Sequence, residues 1–85
     1  MPEETPQHIA QLRQVTAELV LAGRFDPARY PHRHLAVLAM KGTWWYQRLA
    51  TALAAVDLLA PAGFELVDVS EFPAGNAVCA TVRRR

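Results

Sequence analysis

At 85 residues, 52% hydrophobic and 20% charged, the chain describes one small globular domain and is too apolar to be disordered. A domain of this size buries only about two-thirds of the surface its unfolded chain exposes, so its stability is modest unless a partner adds burial. Nine Lys and Arg against eight Asp and Glu leave a net charge of +1, which excludes a global field for polyanions or membranes and confines any nucleic-acid site to a local patch.

Cys79 is the sole cysteine, which rules out an intramolecular disulfide and a cysteine zinc cage and makes a cytoplasmic location the expectation. The first ten residues hold two acids and no apolar run. The longest apolar stretches fall well short of the roughly 20 residues a bilayer span needs, so neither a secretory leader nor a membrane anchor is expected.

Thr5 followed by Pro6 makes an N-cap and first-turn pair. Ile9, Leu12, Thr16, Leu19 and Val20 then recur at helical spacing up to Gly23, a natural stop. One helix is expected over 6–22, wet on Gln7, Gln11, Arg13, Gln14 and Glu18, with Leu21 off the main stripe and open to a partner. Residues 24–33 hold two prolines with Arg24, Arg29, His32 and Arg33. They read as a shaped loop of mild positive bias in which Asp26 caps a short turn beginning at Pro27.

Residues 34–40 (His-Leu-Ala-Val-Leu-Ala-Met) form a near-continuous apolar run bounded by Pro31 and by Lys41-Gly42. A strand covered on both faces is expected; a short buried helix competes, because Leu and Ala favour helix and only Val37 is β-branched. Thr43 is placed to cap a helix over 44–59 whose inward stripe is Trp45, Leu49, Ala52, Leu53, Val56, Leu59 and Ala60, stopped by Pro61 and Gly63. Phe64 to Val69 then alternates, with Phe64, Leu66 and Asp68 on one side and Glu65, Val67 and Val69 on the other. A Pro-Ala-Gly-Asn turn at 73–76 sends 77–83 back as its hairpin partner. The order predicts an α+β domain: an N-terminal helix followed by β-α-β-β, with a small three-stranded sheet packed by two helices.

Leu58-Leu59, the small-residue turn Ala60 to Ala62, the segment Gly63-Phe64-Glu65-Leu66-Val67 and a last strand ending Val82-Arg83-Arg84-Arg85 resemble a family of short, uncharacterised bacterial domains built as strand, helix, strand, strand. In that family the central segment reads Gly-Trp-Glu-Leu-Val, so Phe64 stands where Trp is usual. The likeness covers residues 34–85 and leaves the first helix outside. It implies that fold and lends no activity.

Few residues offer chemistry. His32 and His34 would share one side of an extended chain, but two imidazoles make an incomplete metal site, and solvated loop histidines are the expectation. Cys79 sits mid-strand between Val78 and Ala80 and reads as a buried thiol, not a nucleophile. A Ser elbow, a phosphate-binding glycine loop and a paired-acid motif are all missing, so no catalytic residue, cofactor or metal is expected and the chain does not read as an enzyme.

Trp44-Trp45-Tyr46 cannot share one face of a helix that turns about 100° per residue. With Trp45 on the inward stripe, Trp44 and Tyr46 join Leu21 as candidate partner-binding residues, against the plainer reading of edge packing. Arg83, Arg84 and Arg85 read as a frayed, solubilising tail or, with Arg48, as a phosphate-contacting strip.

Two functions are compatible with these features. One is a small non-catalytic interaction module that self-associates as a homodimer or binds another protein. The other is a winged-helix-type DNA binder in which 34–41 is helical, 64–83 is the wing and Arg48, Arg83, Arg84 and Arg85 meet the backbone. The few groove-reading side chains on 44–60 and the near-neutral charge weigh against the second.

Overall fold

The computed structural model describes residues 5–40, 44–71 and 77–85, and of Trp45 the backbone alone. In chain order the elements are α1 (Pro6–Leu12), β1 (Gln14–Thr16), α2 (Ala17–Leu21), a 3-10 turn at Pro27–Arg29, β2 (His34–Ala39), α3 (Trp45–Leu59), a 3-10 turn at Ala60–Ala62, β3 (Phe64–Glu71) and β4 (Val78–Arg84). The mixture of helix and strand is as expected. The sheet, however, has four strands among the described residues instead of three, in the order β1-β2-β4-β3.

The extra strand lies inside what reads as a single first helix. Thr5 caps α1 as expected, its Oγ1 accepting from the His8 N–H at 3.1 Å. The helix then ends at Arg13, which adopts a left-handed φ of 57° and turns its carbonyl to accept from the Ala36 N–H at 3.0 Å. Gln14, Val15 and Thr16 pair in parallel with Ala36, Val37 and Leu38. Thr16, the weak member of the helical stripe, is the N-cap of α2, its Oγ1 accepting from the Leu19 N–H at 3.3 Å. The break carries Val15, Ala17 and Val20 into the core beside Ile9 and leaves Leu12 exposed. Neighbouring β-branched side chains and the backbone bonds offered by β2 outweigh a helical period here.

Residues 34–39 are strand, which removes the short-helix reading of this run and the winged-helix arrangement that needs it. β2 lies between β1, parallel to it, and β4, antiparallel to it, in register from His34 opposite Arg83 to Ala39 opposite Val78. The expected cover on both faces is corrected. Leu35, Val37 and Ala39 are buried under the helices, whereas Ala36 and Leu38 on the other face are only half-buried.

β3 and β4 form the expected antiparallel pair, from Phe64 opposite Arg84 to Glu71 opposite Val78. A bulge between Leu66 and Asp68 makes Val67 the extra residue and reverses the side-chain parity beyond it. Val69 therefore packs against the core, while Leu66 and Asp68, expected on the Phe64 side, are exposed.

α2 and α3 lie on one face of the sheet and pack against each other. The inward side of α3 is Arg48, Ala52, Ala55, Val56 and Leu59, with Leu49 partly buried against the core. Leu53 and Ala60, placed inward by spacing, are exposed. The Gln47 side chain accepts from the Trp44 N–H at 3.2 Å and so steadies the start of α3. At its far end Gly63 takes a left-handed φ of 95° that only glycine adopts without strain. The Thr43 cap and the 73–76 turn lie outside the described residues. Among the described residues, no helix is long and apolar enough to cross a membrane.

Candidate functional site

The register divides the domain into two ends. At one, Ala39 pairs with Val78 and α3 begins with Trp44, Tyr46 and Arg48. At the other, His34 meets Arg83 and Phe64 meets Arg84, joined by the 24–33 loop and the end of α3. The six residues of β2 hold the two ends about 17 Å apart. Arg48 is therefore not brought to Arg83, Arg84 and Arg85. It is also only 9% exposed, on the inward side of α3, where phosphate does not reach.

The C-terminal arginines are neither a frayed tail nor a free basic strip. Arg84 Nη2 donates to the Pro27 carbonyl at 2.8 Å and the Tyr30 carbonyl at 3.0 Å, and its guanidinium lies 4.7 Å from the Phe64 ring centre. The Arg84 N–H donates to the Arg33 carbonyl and the Arg85 N–H to the Gly63 carbonyl, at 2.7 and 2.9 Å. Arg83 Nη2 meets Glu65 Oε1 at 2.6 Å, and Arg85 Nε lies 3.7 Å from the other carboxylate oxygen. The hydrogen bond from Arg83 holds the Glu65 carboxyl below the usual carboxylate range.

Beneath Arg84 lies an aromatic cluster. The Tyr30 hydroxyl donates to the His34 carbonyl at 2.6 Å, burial raises its pKa, and the rings of Phe25, His32 and Phe64 surround it at 5.4 to 6.5 Å between centres. Asp26 caps the Pro27 turn as expected, accepting from the Ala28 N–H at 3.0 Å. His32 Nε2 lies 3.1 Å from the Ala10 carbonyl, which can only accept, so this nitrogen carries the proton. His34 is exposed on β2. Among the described residues, no three His, Cys, Asp or Glu side chains converge to hold a metal.

Cys79 is buried on the sheet face away from the helices, between Leu38 of β2 and Ser70 of β3. Burial raises its pKa and Asp68 adds to the rise, against a hydrogen bond from Thr81. A neutral-pH thiol reagent is expected to modify the native protein at least about tenfold more slowly than the urea-unfolded chain, since thiolate and access are both reduced. Equal rates would contradict this placement.

The outer face of α3 differs in kind. Trp44 and Tyr46 are 57% and 54% exposed, with ring planes parallel to within 3° and centres 6.4 Å apart. Tyr46, Ala50 and Leu53 recur at spacings of four and three, and Leu58 is 55% exposed; Asp57 is the one charged residue among those exposed on this helix. Leu21 is exposed on the neighbouring α2. The three candidate partner residues thus lie at the surface, and Leu53 and Leu58 extend the apolar area. Reading Leu53 as inward hid it; the clue was a helix with leucines at 49, 53, 58 and 59, too many for a single stripe.

Compared with known protein families, with curated proteins and with solved structures, the chain matches none.

Proposed function

We propose that this protein is a small non-catalytic interaction module that self-associates as a homodimer through the outer face of α3. The observation that carries the reading is that α3 has apolar side chains on both its inner and its outer surface. Ala52, Ala55, Val56 and Leu59, with Arg48 beside them, are buried, while Tyr46, Ala50, Leu53 and Leu58 are exposed along with the stacked Trp44, and the exposed polar residues of the helix are Gln47 and Asp57. Large apolar side chains exposed on an outer helix face call for cover. A second copy supplies it, because a two-fold axis sets the same nearly uncharged face against itself and lets flat aromatic pairs meet across it. Leu21, exposed on α2, is the third candidate contact residue.

Another protein with an apolar helix would fit the same face. The second copy is preferred because Asp57 alone among the exposed residues of α3 offers a charge to direct a foreign partner. Nucleic acid is a weaker reading, with Arg48 turned inward and Arg84 held by loop carbonyls. The single thiol favours a cytoplasmic setting, and the β2-α3-β3-β4 order fits kinship with the short bacterial domains.

Trp44→Ser with Leu53→Ser is expected to weaken the dimer about 100-fold, near 2.7 kcal/mol, in sedimentation equilibrium. The far-UV circular dichroism of the dilute protein should be unchanged. An unaltered dissociation constant would contradict the assignment of this face.

A further inference from the structure

A second surface, at the opposite end of the sheet from Trp44 and independent of self-association, has the character of a binding site. Every arginine except Arg48 lies at this end, although the whole chain carries a net charge of only +1. Within it is a cleft of about 90 Å³, floored by Pro6, Ile9, Phe25 and Tyr30 and rimmed by the exposed Arg24 and Arg29. Among the described residues the ion pairs are those of Glu65 with Arg83 and Arg85, so neither rim arginine has a carboxylate partner. Asp26, the acid between them, has one oxygen committed to the Ala28 N–H.

Size and chemistry select the ligand. Small-molecule pockets run to about 300–1,000 Å³, whereas this cleft holds about three waters or one apolar side chain. Guanidinium groups match carboxylates through paired N–H donors. We infer that the cleft docks an acidic peptide segment of a partner protein, one apolar side chain seated on Phe25 and Tyr30 and its flanking carboxylates on Arg24 and Arg29.

Nucleic acid fits less well. Single strands need exposed aromatics for stacking in the same groove as the positive charge, and here the exposed pair, Trp44 and Tyr46, lies at the other end. Tyr30 and Phe64 are buried, so neither offers an open ring face for a base to stack on.

The test is fluorescence anisotropy on the full chain with three labelled probes: a glutamate-rich peptide with one central leucine, the same peptide with serine for leucine, and a thymidine oligonucleotide of equal charge. The leucine peptide is expected to bind with a Kd of tens of micromolar at about 50 mM salt and to weaken at about 200 mM. Serine in the peptide should cost about fivefold or more, and Arg24→Glu with Arg29→Glu at least about tenfold. Both arginines are exposed, so the fold is retained. Trp44→Ser with Leu53→Ser should bind the leucine peptide as the parent does, which separates this site from the α3 face. No binding at several hundred micromolar, an oligonucleotide bound as tightly as the peptide, indifference to the leucine, or unchanged affinity in the arginine variant would each overturn the inference.

Discussion

Phe64→Ala is expected to destabilise the fold by about 3–4 kcal/mol, the usual loss when a fully buried aromatic is cut to a methyl group. Phe64 is 1% exposed at the start of β3. Its ring lies under the Arg84 guanidinium and 6.5 Å from Tyr30, and it belongs to the core cluster that includes Leu59 and Val82. The neighbours hold it from three elements and cannot all collapse into the space it leaves. A domain this small has a total stability near the lower end of about 5–15 kcal/mol, so the variant should retain little of it. In urea the midpoint should fall by about 2–3 M, with the slope unchanged. Phe64→Leu should recover most of the loss. A midpoint within about 0.5 M of the parent for Phe64→Ala would reject its place in the core beneath Arg84.

Arg84→Ala is expected to cost about 2 kcal/mol, which reverses the sequence-based view of a dispensable tail. Removing the guanidinium leaves the Pro27 and Tyr30 carbonyls without their donor and takes a cation from the face of Phe64. Charged hydrogen bonds contribute about 1.5–3 kcal/mol each when well buried, and partial exposure puts this pair toward the low end. Arg84→Lys should restore only part, because an ammonium cannot reproduce a planar fork lying on a ring. Arg85→Ala is the control: its side chain is 71% exposed and its contact with Glu65 is long, so a change within about 0.5 kcal/mol is expected. Equal midpoints for Arg84→Ala and Arg85→Ala would show that the 24–33 loop is held by other contacts.

Elements marked by local chemistry were legible in the sequence. Thr5-Pro6 starts a helix, Asp26-Pro27 a turn, and Gly63 ends the 3-10 turn that follows α3, each because one side chain or one permitted φ decides the matter. The split of the first helix was not legible by period, since Ile9, Thr16 and Val20 fit a helical stripe whether or not the chain breaks at Arg13. Its clue was local: Val15-Thr16 is a β-branched pair, and Thr16 can cap a second helix. The bulge at Val67 left no mark in an alternating strand, and it moved Asp68 outward and Val69 inward.

Of the candidate surface, Trp44, Tyr46 and Leu21 could be named because three successive aromatics cannot all be buried and Leu21 lies off its stripe. Leu53 could not, because inward and outward phases of α3 are both rich in leucine and alanine, and the presence of Arg48 on the inner side contradicts simple patterning. The role of Arg84 was hidden for a different reason. It depends on carbonyls more than fifty residues earlier, which only the β2-β4 register brings to the end of the chain.

The central claim, that the outer face of α3 is covered by a second copy, is tested most directly by sedimentation equilibrium of the unmodified protein from about 1 to about 100 µM. The mass should approach twice 9.4 kDa at the upper end and fall toward 9.4 kDa on dilution. A mass of 9.4 kDa at every concentration would contradict it.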